Sequence, residues 1–194
     1  MSCLSIVIIG IIEIYTIVNM HNEIIFSYDG NPSHENSRTP TIRSIDGVLA
    51  KTGMYGPIFM VIIAIMQLYY LPKYLIWFFV FLWINESIII FAKKVIQQPR
   101  PGQRVLPDSQ NAQYGYYGMP SGHAQHALFI MTFVWLVNPS WAVLCIYIAI
   151  TGITLLERYN NKRHTLEQLF VGGISGCIIA YISVMIMRKY YEYK

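Results

Sequence analysis

The sequence predicts an all-α, polytopic membrane helical bundle with about six transmembrane helices. Two observations carry that expectation. Charged residues make up only 12% of the chain and hydrophobic ones 55%, with a mean hydropathy of +0.42, whereas a soluble domain carries about 25% charge. The apolar residues also gather into six separate runs. No ten-residue alternation indicates a barrel, and backbone groups in lipid must be paired within their own segment, so the runs are read as helices.

The first run, Leu4–Val18, lacks a positively charged start, contains Glu13 and is followed by no small-residue cleavage site. It therefore reads as a retained membrane helix rather than a signal peptide. Residues 20–53 are rich in Asn, Ser, Pro and charge, which predicts a polar extramembrane loop or a short amphipathic cap. Five further runs follow at Met54–Leu71, Tyr74–Ala92, Ala124–Val137, Trp141–Leu156 and Leu169–Met187. Several fall short of the roughly 20 residues that span hydrocarbon, and their polar flanks are expected to complete the turns. The connections Pro72-Lys73 and Asn138-Pro139-Ser140 are so short that the helices they join must be antiparallel neighbours. Gly102 to Met119 reads as a second irregular connection, broken by Gly102, Pro107, Gly115 and Gly118. The basic, aromatic tail from Arg188 to Lys194 suits a membrane-surface anchor.

The 194 residues form one expected domain. A net charge of +4 with no Lys/Arg run argues against nucleic acid as a partner. Three cysteines, two of them inside apolar runs, argue against a disulfide framework. With six spans, the connections 20–53, 93–122 and 157–168 emerge on one face; five spans, with the first run on the surface, preserve that arrangement.

Those connections hold the chemistry, within residues 93–168. Lys93 closes one apolar run, and Arg100 follows between Pro99 and Pro101, whose rings restrict the backbone around it. A Lys point charge and a planar Arg fork suit phosphate oxygens, although flanking positive charge is also common at membrane helix ends. Pro120-Ser121-Gly122-His123 precedes the next run. Ser121 suits an N-cap, and Gly122 admits a ligand close to backbone N–H groups at a helix start. His123 would then lie within reach of a leaving oxygen, with His126 one turn along as a packing or supporting residue. The third stretch runs from Arg158 to Gln168, with His164 four residues before Gln168. The Gln168 amide oxygen, or Glu167, is placed to accept the His164 ring N–H and leave the other nitrogen to attack. Taken singly, these are a plain cap and a solvated loop with a stray histidine. Glu86 and Asn85, inside an apolar run, are expected beneath this region as interhelical hydrogen-bond partners or as orienters of Lys93.

Together, in order and spacing, the three stretches resemble the signature of the type 2 phosphatidic acid phosphatase superfamily of membrane phosphatases: Lys93 with Arg100-Pro101, Pro120 to His123, and Arg158 with His164. The match covers roughly residues 85–180. Two positions depart from it: Glu157 stands where the family usually has Ser, and Gln168 where it usually has Asp. An amide orients the ring but stabilises an imidazolium less than a carboxylate does. Gln168, with Val95 to Pro101, Met119 to Ser121 and His164-Thr165, resembles the dolichyl and polyprenyl diphosphate phosphatase branch.

The resemblance implies a lipid-phosphate hydrolase, on an isoprenoid diphosphate, with His164 as nucleophile forming a phosphohistidine and His123 as acid and then base. Lys93, Arg100, Arg158 and the backbone amides of Ser121 and Gly122 would hold the phosphate, and no metal or other cofactor is implied. The alternatives are another lipid phosphate phosphatase, a lipid phosphotransferase and, against the intact set of reactive residues, a non-catalytic membrane protein. Orientation is drawn two ways. Ten Lys/Arg lie on the motif face against four opposite, which points to the cytoplasm; the branch resemblance implies the lumenal face of an endoplasmic-reticulum-type membrane.

Overall fold

The computed structural model describes residues 40–101 and 115–192. Five α-helices run antiparallel through these residues: α1 (Pro40–Leu68), α2 (Pro72–Ile96), α3 (Gly122–Val137), α4 (Trp141–Asn160) and α5 (Leu166–Glu192). The apolar run Leu4–Val18, the start of the 20–53 connection and residues 102–114 lie outside the described residues. Three of the helices, α2, α4 and α5, are long and apolar enough to cross a membrane; the apolar parts of α1 and α3 are shorter.

The helices are longer than their apolar runs because polar flanks extend them. Residues 40–53, expected as loop or cap, are helical and continuous with the apolar part of α1. That helix ends at Leu68 rather than Leu71, since Pro72 opens α2 with Leu71 as its N-cap; proline's fixed φ suits a first helical turn. α2 continues past Lys93 to Ile96 and stops where Gln97 turns left-handed (φ 51°), its N–H bonding to the Lys93 carbonyl. This turn brings residues 98–100 back against residues 116–118.

α3 is the shortest helix and packs against all four others, most extensively against α5. Its interior carries Ala124, Ala127, Phe129, Ile130 and Phe133, all fully buried, and Phe78 of α2 stacks into the same core. Close approach of α5 needs Gly172 and Gly176. A Cβ on Gly172 would stand 3.1 Å from the Ser121 backbone nitrogen, and one on Gly176 3.0 Å from the Gln125 carbonyl carbon. This small-residue spacing lets two helix backbones meet, and it fixes the start of α3 against the first three turns of α5.

Large apolar side chains face outward along the bundle, among them Trp83, Phe91, Met66 and Phe170. On a soluble protein such a surface would be an interaction site or a liability; on long apolar helices it suits hydrocarbon.

Candidate active site

The C-terminal ends of α2 and α4 meet the N-terminal ends of α3 and α5 at one rim of the bundle. The sequence makes each of these ends a device for placing one side chain. Lys93, in the last turn of α2, is buried and donates to the Tyr117 carbonyl at 2.9 Å. Beyond the Gln97 turn, Gly118 N–H donates to the Gln98 carbonyl at 2.8 Å and Arg100 N–H to the Tyr116 carbonyl at 3.1 Å, with Pro99 and Tyr117 paired between them. This short antiparallel clip carries Arg100 back over the end of its own helix.

Arg158, in the last turn of α4, is 3% exposed and ion-pairs through Nε with the neighbouring Glu157. The Arg158 carbonyl accepts from both Arg163 N–H (3.0 Å) and His164 N–H (3.2 Å). The turn that ends α4 therefore fixes His164 relative to Arg158. Lys162 makes that turn with φ 53°.

His164 lies two residues before α5, not at its first position, because Thr165 and Gln168 form a capping box. Gln168 N–H donates to Thr165 Oγ1 at 3.2 Å, and Thr165 N–H donates to Gln168 Oε1 at 3.3 Å. The same Oε1 lies 3.2 Å from His164 Nδ1. The Gln168 Nε2 amide donates in the opposite direction, to Gln98 Oε1 (3.2 Å) and to the Pro99 carbonyl (3.0 Å). The Thr165 N–H donor on one side and the Pro99 carbonyl acceptor on the other admit a single amide orientation. An oxygen facing Nδ1 means that Nδ1 carries the hydrogen, so Nε2 holds the lone pair.

Burial pushes the His164 imidazole well below its usual value of 6.5; the charges of Arg100, Lys93 and Arg158 act the same way, against a smaller opposing effect of the Gln168 hydrogen bond. The ring is therefore neutral at pH 7.

Ser121 takes the N-cap position of α3, but its hydroxyl makes no capping bond. Its N–H is committed to the Gln168 carbonyl at 3.1 Å. Of the two amides expected to cradle an anion, the Ser121 amide is thus used within the protein. The helix-start N–H groups from Gly122 to Ala124 precede the first intrahelical bond, which Gln125 N–H makes to the Ser121 carbonyl. Ser121 Oγ and Arg158 Nη2 are buried with no hydrogen-bond partner among the described residues, which leaves both donors able to meet a bound group. His123, in the first turn of α3, has Nε2 3.2 Å from the Met54 carbonyl of α1. A carbonyl only accepts, so this nitrogen carries a proton.

Beneath this layer, His126 Nδ1 lies 2.8 Å from the Gly122 carbonyl and Nε2 lies 3.2 Å from Glu86 Oε2. Gln125 Nε2 donates to Asn85 Oδ1 at 3.0 Å. Glu86 is thus placed against His126, and the pair ties α2 to the start of α3. Sequence reading offered Glu86 an interhelical hydrogen bond or the orienting of Lys93, and did not name His126 as its partner. Two ionisable residues inside neighbouring apolar runs were the available signal. It gave Gln98 and Gly118 no contact at the site, and it passed over the Thr165-x-x-Gln168 capping box. The last is a recognisable pattern in its own right; the first two matter only through contacts across the fold.

Among the described residues no group of three or more His, Cys, Asp or Glu is gathered to hold a metal ion. The PAP2 superfamily model matches residues 74–192. Among solved structures, LpxE from Aquifex aeolicus is similar, with TM-score 0.56 and 22% identity over 77% of this chain and 89% of that one. So is the first transmembrane PAP2-type phosphatidylglycerolphosphate phosphatase from Bacillus subtilis, with TM-score 0.57 and 14% identity over 90% and 97%. At these identities the likeness is one of fold. No curated protein sequence matches the chain.

Proposed function

Because the chain belongs to the PAP2 superfamily, we propose that it is a membrane lipid-phosphate hydrolase that works through a phosphohistidine on His164, with an isoprenoid diphosphate of the dolichyl or polyprenyl type as substrate. The observation that carries this reading is the state of His164: a buried, neutral imidazole, held by Gln168 with Nε2 as its basic nitrogen, under the field of Arg100, Lys93 and Arg158.

Nε2 of His164 attacks the terminal phosphorus, and the bond from phosphorus to the leaving oxygen breaks. Arg158 Nη2, Ser121 Oγ, Lys93, Arg100 and the first N–H groups of α3 hold the non-bridging oxygens as charge develops on them. His123, protonated and with Nε2–H kept on the Met54 carbonyl, gives its Nδ1 proton to the leaving oxygen, then takes one at that nitrogen from the water that splits the phosphorus–nitrogen bond and releases inorganic phosphate. With a diphosphate the leaving group is itself a phosphate, so the first transfer matters less than the second. The cations provide the electrostatic stabilisation that a metal ion would otherwise supply.

Three things support the substrate class. The site stands at the ends of apolar helices, where a headgroup enters while its tail stays in lipid. Gln168 matches the diphosphatase branch. The described residues include no separate domain for a large soluble partner. The test is phosphate release by the purified protein from a panel of lipid mono- and diphosphates, with and without chelator. The reading expects chelator-insensitive release, fastest from isoprenoid diphosphates and lost in His164→Ala. Transfer of phosphate to a second lipid instead of water would make the protein a phosphotransferase, and preference for phosphatidic acid would move it to another branch.

A further inference from the structure

We infer that Gly118 and Gln98 are positioning residues for His164 and Arg100, both acting through the Gln168 amide. The inference rests on the reading of His164 as nucleophile but concerns how its orientation is set.

Gln168 is fully buried and uses its whole amide. Oε1 serves His164 Nδ1 and Thr165 N–H; Nε2 serves Gln98 Oε1 and the Pro99 carbonyl. A carboxylate of the same length would set an oxygen against the Pro99 carbonyl, where only a donor is tolerated. An aspartate or asparagine, one methylene shorter, does not span the gap between the start of α5 and the clip before Arg100. An amide of glutamine length therefore ties the histidine of one motif to the segment that presents the arginine of another.

Gly118 makes room for it. A Cβ on Gly118 would overlap Gln168 Oε1 and stand 2.7 Å from both Cδ and Nε2. The Gly118 backbone lies outside the left-handed region, so an alanine meets no conformational objection there, and space alone requires the glycine. Gln98 closes the arrangement from the other side: its side-chain oxygen accepts from Gln168 and its carbonyl accepts from Gly118 N–H. One residue leaves the space, another fixes the far end, and neither need touch substrate.

The test compares Gly118→Ala in two backgrounds of the full-length, detergent-purified protein. In the wild-type background the added methyl drives the amide from His164, and kcat falls roughly a hundredfold with KM little changed, the scale on which misplacement of a reacting group acts. In a Gln168→Asn background the shorter side chain already vacates the space, so adding Gly118→Ala slows the enzyme no further. Gln98→Ala, which removes one of the two acceptors of Nε2, gives a smaller loss than Gly118→Ala. With no substrate present, ¹⁵N shifts of His164 report the tautomer: Nδ1–H in the wild type, a mixture in Gly118→Ala. A Gly118→Ala protein with normal kcat and an unmixed tautomer overturns the inference, as does an equal fold-loss in both backgrounds. Should Gly118→Ala fail to fold, recovery of folding in the double variant supports the inference and its absence defeats it. A wild-type protein that releases phosphate from no lipid would end the hydrolase reading, while the ¹⁵N comparison would still decide this one.

Discussion

At one rim Lys93, Arg158 and His164 are buried, each at 3% exposure; at the opposite rim the polar groups lie among exposed aromatics. There Trp77 Nε1 donates to Tyr191 Oη at 3.0 Å, Lys73 stands 5.3 Å over the Tyr191 ring, and Trp135 packs on Trp141, which is 74% exposed. Arg188 donates to the Leu136 carbonyl, and Asn138 to Gln67. Both rims carry Lys and Arg. The difference lies in what surrounds them. Aromatic rings with one wet edge and cations that reach water are the composition of a membrane–water interface. Cations withdrawn from solvent are costly even with a carboxylate such as Glu157 beside them, and a fold that retains them has another use for their charge. The comparison teaches that lysine and arginine counts cannot separate an anchor from a site, and that burial can.

The sharpest way to break the comparison is at His164. His164→Ala lowers hydrolysis by roughly 10³-fold or more, as loss of a nucleophile does, while the melting temperature in detergent stays close to that of the parent. Equal activity would remove the ring from the reaction. Arg158→Ala comes next. It removes the buried Nη2, which has no hydrogen-bond partner among the described residues, together with the Glu157 ion pair, and should lower kcat by about 10²–10³-fold, with phosphate release at saturating lipid as the measurement.

Arg100→Ala sharpens the account through pH. Protonated His164 cannot attack, and its pKa lies well below 6.5, so the acid limb of kcat/KM that belongs to it lies below that value in the parent. Arg100 is the largest neighbouring charge that disfavours the protonated ring. Removing it raises the His164 pKa toward its ordinary value, and the acid limb moves to higher pH. An unmoved limb means that Arg100 does not act on this histidine. The smallest effect is expected at the other rim: Tyr191→Phe deletes the acceptor of Trp77 Nε1 and lowers stability by about 1 kcal/mol with hydrolysis unchanged. A loss of activity there would mean that the two ends are coupled.

Much of this was readable in the residue order. Five of the six apolar runs correspond to helices, and the short Pro72-Lys73 and Asn138–Ser140 connections join antiparallel neighbours. The three reactive stretches fall at helix ends on one rim because an even number of crossings separates them. The helix boundaries were less legible, since residues such as Lys94, Arg158 and Glu167 continue a helix that hydropathy alone would end. The Ser121 amide was misjudged for a related reason: its donor goes to the Gln168 carbonyl, a contact between segments more than forty residues apart that no local pattern announces. Gly118 was legible only as a loop glycine, because the side chain it makes room for comes fifty residues later.

Direct trapping of the intermediate tests the central claim. The purified protein would be mixed with a polyprenyl diphosphate labelled in its terminal phosphate, quenched under alkaline conditions within one turnover and mapped by mass spectrometry. The account predicts a phosphoryl group on His164 that persists longer in His123→Ala, where the water step is slowed, and is absent from His164→Ala. Label on any other residue, or rapid release of phosphate with no labelled protein at any time, would contradict it.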